Sequence, residues 1–340
     1  MLQIALEKPG QFIATDGPQP KPAPGEALVR VHRIGVCGTD LHAFAGKQPF
    51  FTYPRILGHE LGVEVLDPGS EPHGLKPGDR CSVEPYINCG KCIACRRGKP
   101  NCCAELKVLG VHIDGGMRPV IAVPARKLHK SAKLTFDQLA LVETLGIGAH
   151  AVERADIKPD DFVLVIGAGP IGLGVIQFVQ MRGATLAVMD VSEPRLQFCR
   201  KQLGVKHTLG AGPEAPGQLR ATGDGDLPTV VIDATGNPKS MAGTFDLPAP
   251  GGRIIFVGLF QGEVTFNDPN FHRRELTLLA SRNALPGTFH DIIALIEAGR
   301  IDTTPWITHR FDLADTPRRF PEVAGNPAVI KTVITVPIAT

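Results

Sequence analysis

Long apolar runs are missing from this 340-residue chain. A membrane-spanning helix needs roughly 18 or more apolar residues in succession, and the longest candidate, 162–179, is broken by four glycines and a proline. The opening Met1-Leu2-Gln3-Ile4-Ala5-Leu6-Glu7-Lys8 lacks the apolar core of a secretory signal, so a cytoplasmic chain with no membrane partner is expected. Charge of one sign is missing too. Lysine and arginine total 36 against 34 acidic residues, a formal charge of +2, and no run of five or more basic residues occurs. That gives no electrostatic case for a nucleic-acid partner; the cluster Arg96-Arg97-Gly98-Lys99 reads as a solvated loop face. Internal repeats and low-complexity segments are also absent. What remains, 43% hydrophobic and 21% charged residues, is the composition of a globular protein long enough for two domains.

The cysteines are the most informative feature present. Cys89, Cys92, Cys95 and Cys103 stand at steps of three, three and eight residues, in a segment whose glycines and proline let the chain turn tightly. Four thiolates converging at about 2.3 Å make a closed, tetrahedral structural zinc site. Cys102 is adjacent to Cys103, and both can hardly reach the same ion. With most of the eight cysteines used as metal ligands, a reducing compartment is expected.

The first 145 or so residues are short β-type runs separated by Gly, Pro and Asp, such as Ala27–Ile34, Leu61–Leu66 and Val120–Val123. From about residue 150 strands alternate with helices. Strands are expected at Phe162–Ile166, Leu186–Asp190, Thr229–Asp233 and Arg253–Val257, with helices at Ile171–Arg182 and Pro194–Leu203, the second capped by Ser192. This alternation implies a parallel, doubly wound sheet. The glycine- and proline-rich stretch 210–226 reads as a surface loop. Near the end a helix at Phe289–Glu297 and a strand at Val329–Val336 are expected.

Gly167-Ala168-Gly169-Pro170-Ile171-Gly172 follows one of those strands and opens a helix, the setting in which such a glycine pattern binds a dinucleotide. Gly167 permits the tight turn, Gly169 lets backbone approach a pyrophosphate, and Gly172 lets helix and strand pack closely. The phosphate then sits at the helix N-terminus, beside Pro170 and Ile171. Asp190, about 20 residues on, is placed to accept hydrogen bonds from a ribose and to repel a 2′-phosphate, so NAD is expected over NADP. Arg195 is the residue that could still accommodate that phosphate.

In the first half, Cys37-Gly38-Thr39-Asp40-Leu41-His42 and Gly58-His59-Glu60 offer a cysteine and a histidine, both good zinc ligands, and a catalytic zinc takes three protein ligands and leaves one position open. These segments, with Lys76-Pro77-Gly78-Asp79-Arg80, the four-cysteine loop, the glycine motif and Asp233-Ala234-Thr235-Gly236-Asn237, resemble in type and order the medium-chain, zinc-dependent alcohol dehydrogenases over nearly the whole chain. The resemblance implies an α/β protein. Its GroES-like, β-rich catalytic domain would span 1–147 and 285–340, with a Rossmann NAD-binding domain at 148–284. It also implies two zincs per chain, the catalytic one held by Cys37, His59 and a third ligand. Glu143, in Leu141-Val142-Glu143-Thr144, matches the carboxylate of the polyol and sorbitol branch, although Thr144 stands where proline is usual. Thr39 would take the alcohol proton and pass it towards His42. Glu60 would be a fourth ligand or a neighbouring carboxylate, and Asp40 would orient His59. Relatives pair edge strands across a homodimer or homotetramer, for which Gly252–Gly258 and the following Val264-Thr265-Phe266 are candidates.

The substrate expected from this branch is a polyol or sugar acid oxidised at a secondary hydroxyl, for example an aldonate such as L-galactonate. Arg118, in Gly115-Gly116-Met117-Arg118, and Arg282, in Ser281-Arg282-Asn283, are the candidate partners of a carboxylate. The run Phe44–Tyr53 could line the pocket. The competing expectation is a non-catalytic, zinc-stabilised dinucleotide-binding sensor.

Overall fold

The structure, a computed structural model, describes residues 1–48 and 51–337; Pro49 and Phe50, part of the expected pocket run, lie outside the described residues. The chain divides into two compact units, Met1–Thr144 with Ala284–Thr340, and Leu145–Asn283.

The first unit is built on a seven-stranded sheet. Leu128–Lys130, Arg80–Val83, Glu60–Asp67, Glu26–Gly35, Lys331–Thr335 and Ile307–Asp312 lie in that order, and Val120–Pro124 also pairs with Glu26–Gly35. Strand alternation makes the core: Ala27, Val29 and Val31 point inward along Glu26–Gly35, and Val63 and Val65 do so along Glu60–Asp67. Each of these valines, fully buried, stabilises the unit by roughly 1.5–3 kcal/mol, and the Ala27 methyl by less. Register also positions chemistry. Gly35 lies opposite Glu60 on one side and Val333 on the other, so the segments carrying Cys37, His59 and Lys331 meet at one end of three neighbouring strands.

The second unit is a six-stranded, wholly parallel sheet in the order His207–Gly210, Thr185–Asp190, Phe162–Ile166, Val230–Asp233, Arg253–Phe256, Thr277–Ala280. All five residues of the inner strand Phe162–Ile166 are buried, as expected where helices cover both faces of a parallel sheet.

Four expectations are corrected. Residues 210–226 are not all loop, for Ala215–Thr222 is helical, with Pro216 in its first turn and Leu219 buried. The Ser192 side chain makes no cap on the helix Glu193–Leu203; its N–H donates to Asp190 Oδ1 at 2.8 Å instead. A 20-residue helix, Phe136–Ala155, replaces the expected β texture around residue 140, carrying buried Leu139, Leu141, Val142 and Leu145 despite two glycines. Arg253–Phe256 is not an edge strand, because it has partners on both sides; the edge beside it is Thr277–Ala280.

Candidate active site

Cys37 ends the strand segment after Gly35 and is the N-cap of the short helix Gly38–Phe44. Its N–H donates to Asp40 Oδ2 at 2.9 Å, which fixes the turn. His59 and Glu60 open the neighbouring strand. The donor atoms of Cys37, His59 and Glu60 all lie within 4.8 Å of one another, with His59 4% and Glu60 0% exposed. Lys331, 1% exposed, places its ammonium 2.6 Å from Glu60 Oε1. Burial alone would lower that ammonium's pKa, but the Glu60 charge outweighs it and raises it.

Glu143 is buried on the helix Phe136–Ala155, and Oε1 accepts a short hydrogen bond from the Tyr86 hydroxyl. It is not among the three residues whose donors converge, although its charge reaches His59. Burial raises the Glu143 carboxyl above its usual range, with His59 pulling the other way. Burial would lower the His59 imidazole, but the charges of Asp40, Cys37 and Glu143 leave it well above its ordinary value. The expected Asp40 to His59 hydrogen bond is not formed: Oδ1 and Nδ1 are 3.7 Å apart, and neither buried atom has a hydrogen-bond partner. Thiol, imidazole and buried carboxylates around unpartnered polar atoms, with excess negative charge, fit a zinc ion.

The loop cysteines form a second cluster. Cys89, Cys92, Cys95 and Cys103 bring their sulfurs within 4.8 Å of one another, and two pairs, Cys92–Cys95 and Cys89–Cys103, are at 3.5 Å. Sulfurs at about 2.3 Å from a tetrahedral zinc are about 3.8 Å apart, so this set also fits. Cys102 is exposed and outside the cluster.

In the second unit the glycine motif takes the expected form. Gly167 has φ +95°, and a Cβ on Gly172 would stand 1.8 Å from the Gly167 carbonyl oxygen. Neither position admits a side chain. Gly169 is the N-cap of the helix Pro170–Arg182, which leaves backbone N–H groups facing outward for a pyrophosphate. Asp190 Oδ2 accepts from Ala168 N–H at 2.6 Å, and Arg195 Nη1 would lie 3.1 Å from a Cβ on Gly169.

Residues 23–133 match the alcohol dehydrogenase GroES-like domain and residues 170–298 the zinc-binding dehydrogenase family. The chain belongs to the zinc-type alcohol dehydrogenases. It is therefore an oxidoreductase that uses zinc and NAD(P). This dehydrogenase is 41% identical to the L-galactonate-5-dehydrogenase of Escherichia coli K12, covering 98% of both chains. It superimposes with a TM-score of 0.90 on a solved short chain alcohol dehydrogenase from Escherichia coli CFT073 complexed with NADH, at 30% identity over 98% of this chain and 99% of that one. A zinc-binding dehydrogenase from Sinorhizobium meliloti 1021 bound to NADP gives 0.89 at 28% identity, over 98% of each.

Thr39 and His42 lie three residues apart on the helix Gly38–Phe44, so both occupy one face, and His42 is exposed. Arg118 is half-buried, its Nε donating to Gly115 O at 3.1 Å. Burial lowers its pKa, partly offset by the charge of Asp114. Asp114 itself pairs with Arg55 Nη1 at 3.2 Å. Arg282 is exposed beyond the strand Thr277–Ala280 of the second unit. Sequence reasoning missed Lys331 and Tyr86. A lysine inside the apolar strand Lys331-Thr332-Val333-Ile334 was the available signal, since a buried ammonium requires a buried partner.

Proposed function

We propose that this dehydrogenase oxidises a secondary hydroxyl of a sugar acid or polyol with NAD, an aldonate of the L-galactonate type being the favoured substrate. The observation that carries the acid is Arg118. Its guanidinium is held at Nε by Gly115, forms no ion pair among the described residues, and keeps its outer fork for a planar carboxylate. The similarity to an L-galactonate-5-dehydrogenase supports the same class. A non-catalytic sensor is not favoured by relatives that are themselves dehydrogenases.

Cys37, His59 and Glu143 are proposed as the ligands of the catalytic zinc. The Glu60 carboxylate is already paired with Lys331, whereas Glu143 forms no ion pair among the described residues, accepts a hydrogen bond from the Tyr86 hydroxyl, and remains available to a cation. Zinc, when bound, supplies Lewis acidity that makes an alcohol hydroxyl easier to deprotonate. Thr39 accepts the alcohol proton at Oγ1 as its own hydroxyl proton leaves, and His42, on the same face and open to water, is where that proton exits. Gly167, Gly169, Pro170, Ile171 and Gly172 seat the NAD pyrophosphate, while Asp190 turns its carboxylate to the ribose and disfavours NADP. Arg282 is proposed as a second anion contact.

A cytoplasmic location is part of this proposal, since none of the eight cysteines is in a disulfide and five of them stand in metal-donor clusters. No helix among the described residues is long and apolar enough to cross a membrane. The proposed assembly is a homodimer or homotetramer through the edge strand Thr277–Ala280, which leaves Leu278 39% exposed.

The test is NADH formation from a panel pairing each sugar acid with its parent polyol. Preference for acids, with Arg118→Ala raising KM for acids about 10–150-fold and leaving polyols unchanged, supports the reading; the range is that of one charge-assisted hydrogen bond. Unchanged acid kinetics in Arg118→Ala would remove it.

A further inference from the structure

A second cluster of buried polar side chains lies in the first unit, and neither the zinc clusters nor the dinucleotide motif uses it. Its centre is Glu84, 2% exposed. Oε1 accepts a short hydrogen bond from the Lys127 ammonium, and Oε2 lies 3.1 Å from His129 Nε2. The other ring nitrogen of His129, Nδ1, faces His290 Nε2 at 3.3 Å. His129 is 3% exposed and stacks on Phe289 with ring centroids 4.8 Å apart, so its orientation is fixed. His290 is open to solvent on the helix Pro286–Glu297.

An ionised carboxylate only accepts hydrogen bonds, so Glu84 assigns the His129 proton to Nε2 and leaves the Nδ1 lone pair directed at His290. A carboxylate behind an imidazole is the arrangement that fixes the tautomer of a metal-binding histidine and raises its basicity. Spacing agrees. Two imidazole nitrogens about 2.0–2.1 Å from a tetrahedral ion are about 3.3–3.4 Å apart, and the structure has 3.3 Å. Asp291, next along the helix, adds negative charge beside His290.

We propose that His129 and His290 form a third metal site, open to water on one side, for a borderline cation such as Zn2+ or Ni2+. Imidazole pairs suit these ions. Bound there, the ion clamps the helix Pro286–Glu297 to the strand Leu128–Lys130. Ser131 already joins the same two segments through a 2.5 Å hydrogen bond from Oγ to Glu297 Oε1.

The test is calorimetric titration of the zinc-loaded, full-length protein with Ni2+, with thermal melts and a zinc count on the same samples to detect exchange at the sulfur-containing sites. The expected result is one saturable Ni2+ per chain without zinc release, and a Tm raised by roughly 3 °C at a hundredfold excess over Kd. Both are lost in His290→Gln, an exposed position whose fold is checked by circular dichroism, and both persist in His207→Gln. An imidazole-to-imidazole hydrogen bond with no metal affinity gives no saturable heat at millimolar Ni2+ and overturns the proposal, as does undiminished binding in His290→Gln.

Discussion

The Lys331 ammonium lies 2.6 Å from Oε1 and 2.5 Å from Oε2 of Glu60, and both side chains are closed to solvent. Removing one member of a buried pair leaves a charge with neither water nor partner, at a cost of about 3–5 kcal/mol. Lys331→Met is therefore expected to lose stability on that scale in urea unfolding. Combining it with Glu60→Gln should recover most of the loss, because the stranded carboxylate is then gone. Simple additivity of the two losses would show that the pair is not energetically coupled.

Glu143 and Glu60 make different predictions for metal content. If Glu143 is the ligand, Glu143→Gln reduces zinc from two per chain to about one, while Glu60→Gln keeps two, counted by elemental analysis against the two donor clusters. The opposite pattern would transfer the ligand role to Glu60.

How far this site was legible depends on what each residue's neighbours in sequence disclose. The four-cysteine loop and the glycine motif are local, so their spacing alone dictates the clustering of the four sulfurs and the positive φ of Gly167. Cys37, His59 and Glu60 were recognisable as donor types. That they converge follows from Gly35 lying opposite Glu60, a register set by long-range strand pairing. Lys331 is 271 residues from Glu60, and no local pattern links them. The helix Phe136–Ala155 was hidden because Gly146 and Gly148 weaken its helical signal, whereas tertiary burial of Leu139 to Leu145 supports it.

Zinc binding to the cysteine loop should release protons. Hydrogen bonds from the backbone at Cys95 and Ala104 lower the Cys92 thiol to about 6, so it is ionised at neutral pH, whereas burial pushes Cys103 up to about 11 and keeps it protonated. Ligation needs both as thiolates. Affinity therefore rises with pH, and titration of the metal-free loop at pH 7.5 in buffers of different ionisation enthalpy should show at least one proton released but fewer than four.

Asp137 joins the helix Phe136–Ala155 to two strands, with Arg33 Nε at 3.0 Å and Arg310 Nη2 at 2.7 Å. Burial pushes its carboxyl up, but the hydrogen bonds and charges of Arg310 and Arg33 hold it below the usual value. A depressed carboxylate adds stability that is present above its unfolded pKa, about 4, and is lost as pH falls through the folded value. Asp137→Asn should thus be less stable than wild type at pH 7, and the difference should shrink below pH 4. A difference independent of pH would assign the effect to packing.

Asp190→Ser should lower kcat/KM for NAD by about 10–150-fold, the worth of a hydrogen bond to a charged group, and narrow the preference over NADP by removing the repulsion. Initial rates with both cofactors test this, and an unchanged ratio would leave the choice to Arg195.

Asp190 has a further consequence for how the cofactor arrives. Its two oxygens accept the N–H groups of Ala168 and Ser192, at 2.6 and 2.8 Å. These hydrogen bonds, made by the chain's own groups, tie the glycine turn to the acid and limit the chain entropy left to lose when a dinucleotide binds. Association should then be limited by diffusion and orientation rather than by a slow loop rearrangement, so observed rates would climb in proportion to dinucleotide concentration without reaching a plateau.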